Sequence, residues 1–383
     1  MLKELFPYLA IAPASIYSLL SLYCAERYFA DQQLQPTADG REFPPITILK
    51  PVKGEDAGSY ENFASFCTQD YAGSVQLLFA VASADDPVIA VIHRIQADFP
   101  HCDVALVINP AIHGPNYKVS NLINAFPAAR HDILIVCDSD IRVAATYLQR
   151  VSAWFSDPAV GLVTSLYRTS EVDGVAAALE ALGFTVEMIP NVLVALRLEG
   201  LSFALGASMA VRRQALNDIG GFEALADYLA DDYQLGNKIH RAGWQIRLDS
   251  CFVESMIRGE NLMAVLSRQV RWARTMRVSR PGGYLASGIT LPFPALLVAL
   301  LFAGSLPAAL TAVALLYLIR MTVSVIVSKR FVRDGLLPTW LWLVPVRDML
   351  SFFCWGLSFM GNRVQWRGSR FQLKSGGKLE ELV

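Results

Sequence analysis

The sequence predicts an α/β fold: a mixed strand-and-helix unit carried between apolar N-terminal and C-terminal membrane segments. Three observations predict it. Short flat apolar runs alternate with longer stretches of helical period in the middle of the chain. Both ends carry charge-free stretches long enough to span a bilayer. The composition is 54% apolar and only 17% charged over 383 residues, more apolar than a soluble enzyme of this size.

In chain order, Leu5 to Ala25 contains no charged residue. At about 1.5 Å per residue such a stretch crosses a hydrocarbon core of roughly 30 Å. A cleaved signal peptide would need a small-residue cleavage site, which the tract from Tyr23 to Arg27 supplies poorly. Residues 1–28 are therefore expected to be an uncleaved anchor, with Arg27 holding the following part of the chain on the cytoplasmic side.

From about residue 45 to 280 the sequence reads as one cytoplasmic catalytic domain. Ile46 to Leu49, Val75 to Ala82, Val104 to Ile108 and Ile133 to Cys137 are Val-, Ile- and Leu-rich runs, the pattern of strands buried on both faces of a parallel sheet. Glu61 to Gln69, Val88 to Phe99 and Lys118 to Phe126 carry helical spacing between them.

Residues 289–360 read as a second membrane region. Ile289 to Ile319 is uncharged, and its break at Gly304 to Pro307 predicts two helices meeting in a turn. Leu336 to Met360 is interrupted by Arg347-Asp348, which predicts one tilted helix with a buried ion pair or two re-entrant halves. Residues 361–383 form a tail.

Several function classes are disfavoured by the same survey. A net charge of -1 offers no basic field for nucleic acid. The six cysteines are scattered with no C-x-x-C pair, and the five histidines form no zinc-binding cluster.

Chemistry is expected where strands end. Asp138-Ser139-Asp140 follows the apolar run ending at Cys137. Ligands collect outside the carboxyl ends of strands in open α/β sheets. Two carboxylates one residue apart suit a hard divalent cation, Mg²⁺ or Mn²⁺, shared with a diphosphate. Asp231-Asp232 precedes a helical stretch; helix capping needs one acid, leaving the other free as a general base for an acceptor hydroxyl. Arg268, Arg271 and Trp272 fall at i, i+3 and i+4, two guanidinium groups for diphosphate oxygens and a ring for an apolar pocket. A basic amphipathic helix lying on anionic headgroups is the alternative, which Arg274 and Arg277 also allow.

Taken together in one order, Asp85-Asp86-Pro87, Asp138-Ser139-Asp140, Asp231-Asp232-Tyr233 and Arg268 to Trp272 resemble the signatures of family 2-type glycosyltransferases. Within that group the chain resembles ceramide glucosyltransferases and their bacterial hopanoid-associated relatives. Lys50 to Gly54, Gly114 to Lys118, Leu205 to Met209, Ile219 to Phe222 and Trp366 to Phe371 extend the likeness over nearly the whole length. Two departures are specific: Ser83 stands where ceramide-type relatives carry Asp, and Glu187-Met188 lies where the animal ceramide enzymes carry a His.

The resemblance implies a GT-A, Rossmann-like fold and an inverting single displacement. It implies a UDP-sugar donor, UDP-glucose or UDP-N-acetylglucosamine, and a membrane lipid acceptor, ceramide or a polyhydroxylated hopanoid such as bacteriohopanetetrol. By the same resemblance Asp85 or Asp86 contacts the uridine, Asp138 and Asp140 hold metal and nucleotide, and Lys118 adds a phosphate contact. Asp232 is the catalytic base, and Arg268, Arg271 and Trp272 close on diphosphate and acceptor. The expected setting is a multi-pass protein of the bilayer, the bacterial inner membrane for the hopanoid branch. A processive polysaccharide synthase would carry Gln where Arg268 stands. A non-catalytic lipid-binding protein would not need the retained acids.

Overall fold

The computed structural model describes residues 2–31, 43–56, 58–257, 259, 261–366 and 368–382. Arg367, within the C-terminal tract quoted above, lies outside them.

Four strands, β1 (Ile46–Pro51), β2 (Val75–Val81), β3 (Asp103–Ile108) and β4 (Ile133–Cys137), pair in parallel in the order β3-β2-β1-β4. Every residue of β1 and β4 is buried, as flat apolar runs require. The period-2 alternation of side chains splits them between two cores. Ile46, Ile48, Phe79, Ile133 and Ile135 face the helices Ser59–Cys67 and Val88–Asp98. Leu49, Leu78, Leu134 and Val136 face the helix Tyr117–Ala125 and the remainder of the chain.

The sheet does not stay parallel. Beyond β4 it continues through β5 (Ile141–Arg142), β6 (Val160–Arg168), β7 (Ser208–Arg212) and β8 (Gln245–Ser255) in the order β7-β6-β8-β5. β7 is antiparallel to both β4 and β6, whereas β6 and β8 are parallel. This switch of direction beside β4 leaves the loop after Cys137 at an open edge of the topology, where ligand sites form.

Among the described residues, three helices are long and apolar enough to cross a membrane: Glu4–Asp31, Val175–Glu199 and Leu306–Val332. A fourth candidate is the bent pair Pro281–Ser287 and Pro292–Leu301. The expected turn between two C-terminal helices is present, since Pro292–Leu301 and Leu306–Ile326 are separated by residues 302–305. The N-terminal helix packs on both, through Ile11 and Ala14 against Ala295, Ala299, Ala312 and Leu316.

Two features of the apolar parts go beyond the expectations. The 175–199 segment, within residues 45–280, is long and apolar enough to cross a membrane in spite of Glu180, Glu187 and Arg197. It is an apolar helix interrupted by a π-turn at Phe184–Met188. Some 72% of its most apolar window is buried within the protein, against 33% for the other two spans. The pair Arg347-Asp348 does not close on itself. On the helix Val344–Ser358 neighbouring side chains diverge. Asp348 accepts from Arg320 at 2.7 Å, and Arg347 donates to Glu187 at 2.8 Å.

The tail is folded. Strands β9 (Arg363–Trp366), β10 (Ser369–Leu373) and β11 (Leu379–Glu381) form an antiparallel sheet. Phe371 and Leu373 pack on Leu229, and the Leu229 amide donates to the Gly377 carbonyl. The sheet thereby buttresses the loop that leads into Asp231.

Candidate active site

The D-S-D turn leaves β4 at Cys137 and is fastened from several sides. Lys50, fully buried in β1, donates from Nζ to the Asp138 carbonyl at 2.9 Å, with its ammonium 4.2 Å from the Phe66 ring centre. Ser139 Oγ donates to Asp56 at 2.8 Å, and Asn62 Nδ2 donates to the Ser139 carbonyl. Asp140 accepts from Ser255 Oγ at the end of β8, at 3.2 Å.

Lys118 brings the second pair of acids to the first. Asn116 caps its helix by accepting from the Val119 amide, which sets Lys118 in the first turn. From there Nζ meets Asp138 Oδ1 at 2.7 Å and Asp231 Oδ2 at 3.3 Å. Burial works against the ammonium, but Asp138 and Asp231 more than reverse it and hold Lys118 charged above its ordinary value.

Asp231 and Asp232 open the helix Asp231–Arg241 but neither is its cap residue, which is Ala230. Asp232 Oδ1 accepts from the Tyr233 amide at 2.7 Å. The backbone at Gly206 passes so close that a methyl there would stand 2.9 Å from Asp232 Oδ2. Burial first, then the Asp231 charge, push the Asp232 carboxyl up to about 6, partly opposed by Lys118. Burial and Asp138 push Asp140 to about 6 as well. Two carboxylates raised in this way near one ammonium form a site that favours an arriving cation.

The remaining expected residues are distributed more widely. Asp86 accepts from the Gly54 amide through both oxygens, at 3.1 and 3.0 Å, and from the Val88 amide at 3.0 Å. It thus ties the loop after β1 to the start of a helix, while Asp85 is exposed beside it. Arg268 donates from Nε to Glu180 at 2.7 Å. Trp272 lies 6.2 Å from Phe184, which stacks edge-on to Tyr167. Tyr167 in turn feels the charges of Asp232, Asp138 and Asp140, so this aromatic run connects the basic helix to the carboxylates. Arg271 instead lines a groove on another side of the same helix, Leu262–Ser279. The three residues read as one face therefore reach different neighbours.

Lys50, Asp56, Asn62, Tyr167 and Glu180 were not picked out as site residues by the sequence. A lysine inside an otherwise apolar strand was the available signal for the first. The others carry none without the fold.

Among the described residues, no group of three or more His, Cys, Asp or Glu is arranged to hold a metal ion by itself. The donor set at D-S-D is two carboxylates. This fits Mg²⁺ or Mn²⁺ completed by phosphate oxygens and water, the usual arrangement at nucleotide sites.

Known proteins resemble the chain in sequence and in fold. A ceramide glucosyltransferase 3 of Caenorhabditis elegans is 25% identical over 343 residues, covering 88% of this chain and 74% of that one. The ceramide glucosyltransferase of Candida albicans is 32% identical over 132 residues, 31% of this chain and 24% of that one. A mannosyltransferase from Pyrobaculum calidifontis, solved with GDP-Man and Mn²⁺, superposes with a TM-score of 0.56 at 20% identity, covering 91% of this chain and 99% of that one. The shared architecture is the GT-A glycosyltransferase fold. The model of glycosyl transferase family 21 matches residues 6–379, and the chain belongs to that family and is a glycosyltransferase.

Proposed function

We propose that the protein transfers a single sugar from a UDP-sugar, UDP-glucose or UDP-N-acetylglucosamine, to the hydroxyl of a membrane lipid, ceramide or a hopanoid such as bacteriohopanetetrol. The observation that carries this reading is the convergence of Asp138, Asp231 and Asp232 on Lys118 with Asp140 beside Asp138, in a chain whose described residues include three helices able to cross a membrane.

Charge decides what the site accepts. Asp138, Asp231 and Asp232 share the Lys118 ammonium and Asp140 stands by Asp138, so acids outnumber the bases that face them and a nucleotide diphosphate would add to the repulsion. A divalent cation on Asp138 and Asp140, Mg²⁺ or Mn²⁺, would offset leaving-group charge on the departing diphosphate. Lys118 lies beside Asp138 and offers its ammonium to the same phosphates once they displace the carboxylate. Asp232, held by the Tyr233 amide and raised toward 6, takes the acceptor's proton. The acceptor oxygen bonds to the anomeric carbon as the bond from that carbon to the diphosphate breaks. The nucleotide leaves with the electron pair, and configuration inverts in one displacement. Asp85 and Asp86 flank the uridine side, and Arg268, Arg271 and Trp272 stand on the side of the membrane helices. The catalytic unit, residues 45–280, faces the cytoplasm, anchored by residues 1–28 and 289–360.

The test is an assay of the purified full-length protein with both UDP-sugars against ceramide and a bacteriohopanepolyol, with and without chelator, reading lipid products by mass. One sugar added to one lipid, lost with chelator, supports the reading and names the acceptor. A polymer would replace it with a processive synthase. No adduct on either lipid from protein that binds UDP would overturn the acceptor class.

A further inference from the structure

The helix Leu262–Ser279 turns one side to the carboxylate site and another to a separate groove. That groove, about 870 Å³, lies between this helix, the helix Val344–Ser358 and the C-terminal sheet. Its polar lining is dominated by four arginines: Arg271 and Arg274 from the helix, Arg363 from β9 and Arg370 from β10. No acidic side chain lines it among the described residues. Glu380 and Glu381 of the adjacent strand are held by Lys374 and Tyr117. Within the described residues Arg274 Nε is buried without a hydrogen-bond partner, while Nη1 of the same guanidinium donates to the Arg363 carbonyl.

The opposite wall is apolar and open. Leu266 and Leu350 line it, and Phe353 and Leu357 reach it while 51% and 42% exposed. Exposed Phe and Leu on a helix packed against the Pro292–Leu301 segment are stable where they meet acyl chains rather than water.

A cluster of guanidinium groups above an apolar wall selects a ligand with an anionic head and a hydrocarbon body. The acceptor proposed above is an uncharged polyol or amide lipid, which would leave Arg274, Arg363 and Arg370 without a counter-charge. We propose that this groove binds an anionic phospholipid of the surrounding bilayer, its phosphate on Arg274, Arg363 and Arg370 and its acyl chains along Leu350, Phe353 and Leu357. The proposal rests on the acceptor being uncharged and does not depend on which sugar is transferred.

Native mass spectrometry of the full-length protein, released from detergent with phosphatidylglycerol or phosphatidylcholine, tests it. Phosphatidylglycerol should be retained in preference to phosphatidylcholine. Arg363→Gln and Arg370→Gln, both at exposed positions, should each weaken that retention about fivefold, the typical effect of one basic residue at an anionic surface. Lysine at the same positions should keep the preference, which separates charge from misfolding. Leu357→Gln should weaken the lipid but leave weak binding of glycerol 3-phosphate unchanged. Equal retention of phosphatidylcholine, or an undiminished preference in the double Gln variant, would overturn the proposal. Displacement of the lipid by glycerol 3-phosphate at comparable concentration would also overturn it, reducing the groove to a soluble phosphate site.

Discussion

Gly206 leaves room for the position of Asp232, and filling that room tests whether the position sets the rate. A methyl carbon at residue 206 would stand 2.9 Å from Asp232 Oδ2, where ordinary contact begins at 3.4 Å. Gly206→Ala therefore requires the carboxylate oxygen to withdraw by about 0.5 Å. The atom that must give way is the end of a side chain, and Gly206 is not among the glycines at positive φ, so the fold accommodates alanine. The catalyst does not, because a reacting constellation tolerates only about 0.5 Å. With about 100-fold lost per 1 Å of misplacement, half that displacement predicts a kcat about tenfold lower, near 1.4 kcal/mol of barrier. Initial rates at saturating donor and acceptor, with lipid products read by mass, give kcat; UDP binding and a thermal melt serve as controls. The expected result is the drop in kcat with UDP affinity and melting temperature unchanged. A wild-type kcat would refute the argument that Asp232 is positioned for proton removal, and a loss confined to the donor KM would move Asp232 into nucleotide binding.

Four further outcomes follow from the same geometry. Asp232→Asn keeps shape and removes the base, so transfer should fall about 10²- to 10⁴-fold while UDP binding by calorimetry holds. With Asp232 raised to about 6 and active only when ionised, kcat/KM should decline tenfold per pH unit below about pH 6; a flat acid limb would exclude it as the base. Asp140→Ala should weaken UDP binding in Mg²⁺ or Mn²⁺ and remove its sensitivity to chelator, whereas an unchanged metal titration would dismiss the D-S-D turn as the cation site. Asp348→Asn removes the counter-charge of the buried Arg320 guanidinium, a cost of about 3–5 kcal/mol that a melt in detergent would register. The paired change Arg320→Met with Asp348→Leu should restore most of that loss.

Local pattern explains what the sequence disclosed. Strands β1 to β4 were visible because residues buried on both faces leave unbroken apolar runs, and their order placed Asp138 and Asp140 past a strand end. Asp231-Asp232 and Arg268 to Trp272 were visible as charge in fixed spacing. What stayed hidden depends on partners far away in the chain. Nothing local in Arg347-Asp348 shows that the first meets Glu187 and the second Arg320. The 175–199 helix is nearly as apolar as the N-terminal span, and what its sequence does not show is that Arg268 and Arg347 neutralise Glu180 and Glu187 inside the fold. The C-terminal sheet is made of strands of three to five residues, whose apolar content is limited to Val364, Trp366, Phe371, Leu373 and Leu379. The antiparallel insertion of β7 between β4 and β6 likewise follows from packing, not from any feature of Ser208–Arg212 itself.

That buried 175–199 helix changes how the two halves of the molecule relate. Along its length Glu180 holds Arg268, Phe184 holds Trp272 and Glu187 holds Arg347, and within the π-turn the Val186 carbonyl accepts from Arg320. The π-turn adds a residue to the helix register between Phe184 and Met188, which rotates Glu187 toward Arg347 and Ser351. One helix therefore contacts the basic helix, the helix Leu306–Ile326 and the helix Val344–Ser358, while Tyr167 carries its aromatic contact to the carboxylates. A soluble catalytic unit tethered by a flexible anchor would not need such a connection. Rigid registration between site and membrane helices does need it, because a lipid hydroxyl must meet Asp232 within the same half-ångström tolerance that Gly206 keeps open. Loosening the connection should therefore leave UDP binding intact and impair transfer to lipid. Glu187→Gln, which weakens the Arg347 contact while keeping the shape, should raise the acceptor KM more than the donor KM in bilayer-reconstituted protein. Equal changes in both would show that the helix supports folding alone.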